Sequence, residues 1–591
     1  MHFNHVIYKT LWALTSLLLF TSGASAMEKE IYLPGTGEIY KVEVVPRQPA
    51  SVIYYGGDIL TMDGDVPSYA EAVVTQGKKI VFVGDKKAAI KKFGSNARLI
   101  DLKGNTMLPG FLDPHSHFMS AVRMVNQVNV AAPPVGTATS IPQIIEKLKA
   151  FQEEKHIAED GWIIGWGYDQ DLIEEKRHIT KKDLDAAFPK RKVMLIHVSM
   201  HGAVLNSQAL KWAGIDANTK TPAGGVIARM PGSNEPAGLL MEMAYIPVFA
   251  KLPQPSEEEM LDLTKPAQMM YASNGYTQAI EGFSHAEDLD FLMKAAAQER
   301  LFLDILALPG FTEMDKWFGN PKYKFGEYHN HLKLQACKIT IDGSPQGKTA
   351  LVSHPYHGGG PAGQKDWKGE SSITQAQLDA ITRKMFDANI PLHVHANGDG
   401  AIDMMIKTIE AAGISAKDDR RTVIVHSQFQ RPEHLPKYVE LGLTPSYFTL
   451  HTFYWGDVHV KNIGKEAAFF ISPMKAAKAA GLVMSNHTDF NVTPLDPFWV
   501  IWSAMARESR SGQIIGPDQR VDAYTALQAL TTGPAWQVFE EDRKGKIREG
   551  MLADFVVIKN NPVKQKVSEI KDNEVLATVK EGKVIYKKIG I

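Results

Sequence analysis

M-L-P-G-F-L-D-P-H-S-H-F, residues 107–118, is the stretch whose reading decides the fold. An apolar run, Thr106, Met107 and Leu108, has strand character and leads through Pro109-Gly110 to His115 and His117. On a strand or its extended end, side chains two apart point to the same side. Both imidazoles can therefore reach one ion, which adjacent residues could not. In a chain with twenty histidines an H-x-H alone carries little weight. Its weight comes from the flanking P-G-F-x-D-x-H-x-H string and from whether further ligands follow in order.

The chain has 591 residues, with 65 basic and 66 acidic side chains, so size admits one large catalytic domain and a smaller one. Charge is balanced, and no basic block or stripe argues for nucleic acid or an anionic membrane surface. At the N-terminus Lys9 precedes the apolar run L-W-A-L-T-S-L-L-L-F, followed by T-S-G-A-S-A ending at Ala26. A basic start, a short apolar core and an A-x-A site predict a secretory signal over residues 1–26. That core is shorter than the roughly 20 residues a spanning helix needs, so no stable membrane span is expected after cleavage. The mature protein is expected to be exported, periplasmic or secreted. Cys337 is the only cysteine, so no intrachain disulfide forms even in an oxidising compartment.

Working outward, residues 50–108 and 545–591 both read as short strands with turns, as in A-V-V-T-Q-G-K-K-I-V-F-V-G and V-L-A-T-V-K-E-G-K-V-I-Y. Strand-rich ends bracketing one long region predict a small composite β-sandwich built from both termini. Residues 109–544 alternate apolar β-like runs with helix-like segments. The candidate strands run over 193–198, 301–308, 334–341, 391–396, 422–427 and 481–486, with helices over 374–387 and 400–412. Repeated β-then-α units predict an α/β fold with a parallel sheet, and about eight of them a TIM (β/α)8 barrel. Residues 119–250, rich in Gly, Pro and Trp, read as an insertion after strand 1, over the barrel mouth.

Polar residues with chemistry fall at the ends of the strands. Lys338 is embedded in A-C-K-I-T-I-D-G, where an unpaired lysine is costly. Carbamylation would turn it into a bridging carboxylate. His395 closes H-V-H, His426 closes T-V-I-V-H, and Asp489 follows S-N-H-T. Imidazoles, a carboxylate and a carbamate suit zinc and its neighbours among the divalent ions.

The strings L-P-G-F-L-D-P-H-S-H, N-S-Q-A-L after His201, G-G-V-I-A-R, C-K-I-T-I-D-G-S, H-V-H-A-N-G-D-G-A-I-D, V-I-V-H-S-Q, T-D-F-N-V-T-P-L-D-P and G-K-I-R-E-G-M-L-A-D span nearly the whole mature chain. Together they resemble the amidohydrolase superfamily, and within it the family 3 branch that includes N-substituted formamide deformylases. The resemblance implies His115 and His117 on one metal, with Lys338 bridging to a second held by His395 and His426. Asp489 would bind the first metal and act as general base, then acid, towards the reacting water and the departing amine. His201 would hold the carbonyl oxygen. The implied cofactor is a divalent metal, zinc in the first instance, at one or two per chain. The implied partner is a small amide-like molecule, such as an N-acyl or N-formyl amine, and a homodimer is the assembly considered.

Two alternatives stay open at this point. One is a deaminase or an ester or lactone hydrolase on the same scaffold; the other is an inactive barrel that only binds metal. His393 reads as core filling one layer below His395. His487 stands where the family usually has a small residue, and His354, His357 and His451 read as loop or supporting residues. Asp399 reads as a helix cap, and Cys337 as facing the packed helices. Aromatic residues over 162–170 and 448–455 offer walls for an apolar substituent.

Overall fold

The computed structural model describes residues 27–32, 39–44 and 51–588, apart from 134, 199–201, 223–224, 254 and 361–363. The segment read as a secretory signal, 1–26, and His201 both lie outside the described residues. Among the described residues no helix is long and apolar enough to cross a membrane.

The central region is α/β. Strands Phe111–Leu112, Tyr276–Ser284, Asp304–Pro309 and Leu332–Leu334 run parallel in one sheet, with Tyr328–His329 antiparallel at its edge. Strands Cys337–Thr340, Leu392–Ala396, Thr422–His426, Leu443–Tyr447 and Ser485–Asn486 form a second sheet, parallel throughout. A parallel bridge between Gly310 and Lys338 joins the two sheets. At the other margin Asp489 N donates to His115 O at 3.1 Å and His117 N to Phe490 O at 2.7 Å. The run expected as one strand over 334–341 is interrupted at Gln335 and Ala336, where pairing passes from one sheet to the other. Helices follow the later strands: Gln375–Asp387, Asp399–Ala412, His434–Leu441 and Leu450–Ile463. The first is opened by a capping box between Thr374 and Gln377, which satisfies donors that the first helical turn leaves free. Asp399 is the first residue of its helix rather than the cap, which is Gly398. Its carboxylate instead receives Arg431 Nη1 at 2.6 Å and Ser353 N at 2.9 Å.

Between the first two central strands the chain builds a separate six-stranded sheet. Its spatial order is Gly225–Arg229, Pro236–Glu242, Gly202–Leu205, Lys192–His197, Trp162–Tyr168, Val128–Asn129. The run expected over 193–198 among the central candidates therefore belongs to this sheet. Alternation explains it: Val193 and Leu195 pack with Ile144 and Leu148 on one face, Met194 and Ile196 with Leu210 and Leu240 on the other. A strand buried on both faces reads as continuously apolar, so composition cannot tell it from a central strand.

Both ends of the chain meet in one sheet. Lys583–Lys587, Val575–Lys580, Phe555–Ile558, Thr106–Pro109, Ser51–Leu60, Tyr69–Gln76 and Lys79–Gly84 lie side by side, with Ala97–Asp101 also paired to Ser51–Leu60. The join is antiparallel, Phe555 opposite Pro109 and Ile558 opposite Thr106. Strands Met27–Tyr32 and Ile39–Val44, not expected from sequence, pair with each other.

Candidate metal centre

Most of the predicted ligands within the described residues stand at the C-terminal end of a parallel strand or just beyond it; Lys338, the second residue of Cys337–Thr340, is the exception. His115 and His117 follow Phe111–Leu112. Lys338 and His395 lie on Cys337–Thr340 and Leu392–Ala396, His426 ends Thr422–His426, and Asp489 follows Ser485–Asn486. This is the pole at which parallel α/β folds carry their sites. Gly282 lets the neighbouring strand close on His115, since a Cβ there would sit 2.5 Å from His115 Cε1 and 2.8 Å from Ser116 O.

The six side chains converge. Asp489 Oδ1 is 3.4 Å from Nε2 of His115 and 3.4 Å from Nε2 of His117. Lys338 Nζ lies 3.2 Å from His115 Nε2, and His426 Nε2 lies 3.1 Å from His395 Nδ1. His115, His426 and Asp489 each offer a ligand atom within 4.8 Å of the others. Asp489 Oδ1 and His115 Nδ1 are buried with no hydrogen-bond partner. Buried polar atoms are almost always paired, so an unpaired carboxylate oxygen facing two imidazoles marks a place for a cation. Bonds of about 2.1 Å at tetrahedral angles set donors about 3.4 Å apart, the separation of Asp489 Oδ1 from each of the two histidines.

The electrostatics agree for His115, His395 and His426, whereas His117 carries a proton at pH 7 that an ion would have to displace. Burial, then the charge of Lys338, holds His115 far below the ordinary imidazole range and His395 at about 4. His426 is also held well down, by burial and by His395 and His487. These rings are neutral at pH 7, as ligands must be. Burial opposes charge on His117 as well, but Asp489 and Glu281 overcome it and raise the ring to about 9. Burial would likewise raise Asp489, yet His117 holds it ionised, at about 2. Lys338 is 2% exposed and has no carboxylate within 4 Å among the described residues. Burial lowers it to about 7, which leaves a large share of free amine at neutral pH.

A supporting layer surrounds these groups, and sequence reasoning missed part of it. Glu281 is 2% exposed; its Oε2 receives Met119 N at 2.6 Å, while Oε1 stands 3.8 Å from His117 Nδ1. An acidic residue inside the apolar run A-I-E-G-F was the available signal. His487 Nε2 is 3.0 Å from His426 Nδ1, and Ser446 Oγ is 2.9 Å from His487 Nδ1. Asp113 receives Thr488 Oγ1 at 3.0 Å and His115 N at 3.3 Å, fixing the turn that carries the histidine pair. Burial pushes Asp113 up to about 7. His393 is buried one layer below His395, and neither of its ring nitrogens has a partner.

Comparison with known proteins agrees with this geometry. The chain matches the model of the amidohydrolase family over residues 98–586. It is 29% identical over 558 residues to a putative amidohydrolase, YtcJ, of Bacillus subtilis (strain 168), covering 91% of this chain and 99% of that protein. It is 25% identical over 533 residues to the N-substituted formamide deformylase of Arthrobacter pascens, covering 88% and 96%. The fold matches an uncharacterized metal-dependent hydrolase from Pyrococcus furiosus at a TM-score of 0.66, with 22% identity, over 87% of this chain and 100% of that one. An extended parallel α/β scaffold, histidines and a carboxylate gathered at its strand ends, and a family match over most of the length lead to one conclusion: this chain belongs to the amidohydrolase family, hydrolases that act on carbon–nitrogen bonds.

Proposed function

We propose that this protein hydrolyses the amide bond of small N-acyl or N-formyl amines with a divalent ion, zinc in the first instance, at the site around Asp489. The observation that carries the proposal is the unpaired Asp489 Oδ1 held 3.4 Å from both His115 and His117. His115, His117 and Asp489 would hold one ion. His395 and His426 would hold a second, with Lys338 as its carbamate between them. A bound divalent ion supplies Lewis acidity, polarising the carbonyl and bringing the pKa of water towards about 7. Asp489, ionised at neutral pH, takes the proton of the attacking water and delivers it to the amine, which must leave protonated. The free amine of Lys338 attacks carbon dioxide through Nζ and loses one proton, giving the carboxylate that a bridging role needs. The similarity to a formamide deformylase supports the formyl end of the substrate range, and the aromatic residues Phe448 and Trp455 support an apolar amine portion.

On this proposal the parallel strands of the two sheets form one (β/α)8 barrel, with Leu332–Leu334 and Cys337–Thr340 counted as a single strand and the antiparallel Tyr328–His329 outside it. The Gly310–Lys338 bridge and the Asp489–His115 hydrogen bond support that closure. The sheet shared by both ends is then the composite β-sandwich, and residues 119–250 the insertion after strand 1, with the six-stranded sheet inside it. Export and cleavage after Ala26 are proposed from the leader, and a homodimer from exposed apolar side chains such as Ile246 and Phe249.

Metal analysis of chelator-free protein, paired with release of primary amine from a panel of N-formyl and N-acetyl amines, tests the function. About two equivalents of metal, reduced in Lys338→Ala, and turnover abolished in Asp489→Asn are expected. Protein that takes up no divalent ion after reconstitution would overturn the proposal.

A further inference from the structure

One wall of the site carries a histidine pair that the ligand set does not use. Helix Leu450–Ile463 begins three residues after strand Leu443–Tyr447, and His451 stands in its first turn. The ring of Phe448 joins it to the metal centre: its centroid lies 4.9 Å from that of His487, 6.0 Å from His426 and 4.7 Å from His451. Trp455 also packs against His451, at 4.5 Å. His451 Nδ1 is 3.0 Å from Nε2 of His459, with the rings nearly parallel at 11°. The imidazole is thus held by three rings, and its Nε2 has no partner among the described residues.

The buried partner decides which nitrogen of His451 carries hydrogen. His459 is 0% exposed and its Nδ1 has no hydrogen-bond partner. If His451 Nδ1–H donated to His459 Nε2, the proton of neutral His459 would sit on Nδ1 as a buried N–H without an acceptor. The nearest aromatic face, Phe429 at 5.3 Å, is a weak acceptor at best. If His459 Nε2–H donates instead, Nδ1 keeps only a bare lone pair. An orphaned buried N–H is the rarer and costlier defect, so the second arrangement wins. His451 then presents Nε2–H outward and accepts at Nδ1. Burial and the neighbouring His459 keep the ring neutral, and His451 lies within electrostatic range of Asp489.

We propose that His451 is a fixed, neutral N–H donor to the carbonyl oxygen of the substrate amide, locked in that tautomer by His459. A neutral donor on a wall of Phe448 and Trp455 selects an uncharged amide with an apolar substituent over an acyl group bearing a carboxylate. The inference rests on the amide-hydrolase reading for the identity of the acceptor, but not for the tautomer.

The test uses the full chain with its metal, the variants His451→Phe and His451→Gln, and the probe N-formyl-2-phenylethylamine. Gln keeps an N–H near the place of Nε2. His451→Phe should lower kcat about 10²–10³-fold with KM changed less than about threefold, and His451→Gln should recover to within about tenfold of wild type. Metal content should be unaffected in both. A loss below about threefold in His451→Phe, or one that Gln does not restore, would overturn the donor role. Nitrogen-15 histidine spectra, assigned by difference against His451→Phe, read the tautomer directly: hydrogen on Nε2 supports the inference and hydrogen on Nδ1 refutes it. Wild-type protein inert towards every amide tried would overturn the amide reading, leaving the spectra to decide the donor alone.

Discussion

His487 sits between Ser446 and His426, and its position determines which nitrogen of His426 is free. A bare Nε2 on His426 requires its Nδ1–H to donate to His487 Nε2, while His487 Nδ1–H donates to Ser446 Oγ. Both imidazole N–H donors in that line then have acceptors, and the Nε2 lone pair of His426 is left free. Groups that orient a metal-binding imidazole in this way typically contribute about 10–100-fold in metal affinity. His487→Leu should therefore weaken metal binding by about that factor in a competition titration with a chelator, and an unchanged affinity would refute the role. Most of the candidate ligands were legible because they close or follow an apolar run, where a histidine or carboxylate has no bland reason to sit; Lys338 was legible because it lies inside one. His487 was legible only as an oddity, because its partner lies 61 residues away on another strand. Glu281 escaped notice for a related reason: what makes it informative is contact with His117, and no spacing within its own strand announces that.

At the scale of elements, strand Tyr276–Ser284 supports the histidine pair from beside it. Gly282 N donates to Ser116 O at 2.8 Å, and Ser116 Oγ donates to Ile280 O at 3.1 Å. The glycine also keeps clear the volume that the His115 ring occupies. Gly282→Ala should push that ring out of place and lower metal content well below wild type, with secondary structure by circular dichroism retained. Full metal occupancy in that variant would show that the ring can shift without loss. Strand and helix identities in the central region were readable from alternating apolar runs and caps, since those are local. The interruption at Gln335 and Ala336 was not, because it reflects which sheet each half pairs with. The insertion was readable as an interruption of the pattern but not in its internal order, because strands packed on both faces lack the polar alternation that reveals register.

At the scale of the molecule, the two poles of the central strands do different work. Away from the candidate metal centre, three lysines and three carboxylates are buried together. Lys544 Nζ meets Asp304 at 2.5 Å and Glu540 at 2.8 Å, Lys580 meets Asp304 at 2.8 Å and Asp554 at 2.7 Å, and Lys333 meets Glu540 at 2.6 Å. Asp304 starts a central strand and Lys580 ends a strand of the shared terminal sheet, so the network bolts the two units together. Burial would raise Glu540, but Lys544 and Lys333 overcome it and hold it at about 2; Asp304 is held well below its usual range by Lys544 and Lys580 against the same burial. Carboxylates depressed in the fold bind more protons when unfolded, so their stabilisation is complete above the ordinary carboxylate range and is lost as pH falls below about 4.5 towards 2. Denaturant midpoints should drop across that window. Lys544→Met, which leaves Asp304 with Lys580 and Glu540 with Lys333, should lower the denaturant midpoint at pH 7 and flatten the acid dependence; an unchanged midpoint would mean the remaining lysines suffice.

The pairing of Phe555–Ile558 with Thr106–Pro109 bears on how the protein is made. Synthesis proceeds from the N-terminus, so the strand that leads into His115 waits, with one edge open, for a partner translated more than four hundred residues later. The first candidate ligands to leave the ribosome are thus among the last to be anchored. A message cut short before codon 555 would yield no half-active enzyme, only a chain with an exposed edge for chaperones and proteases to find.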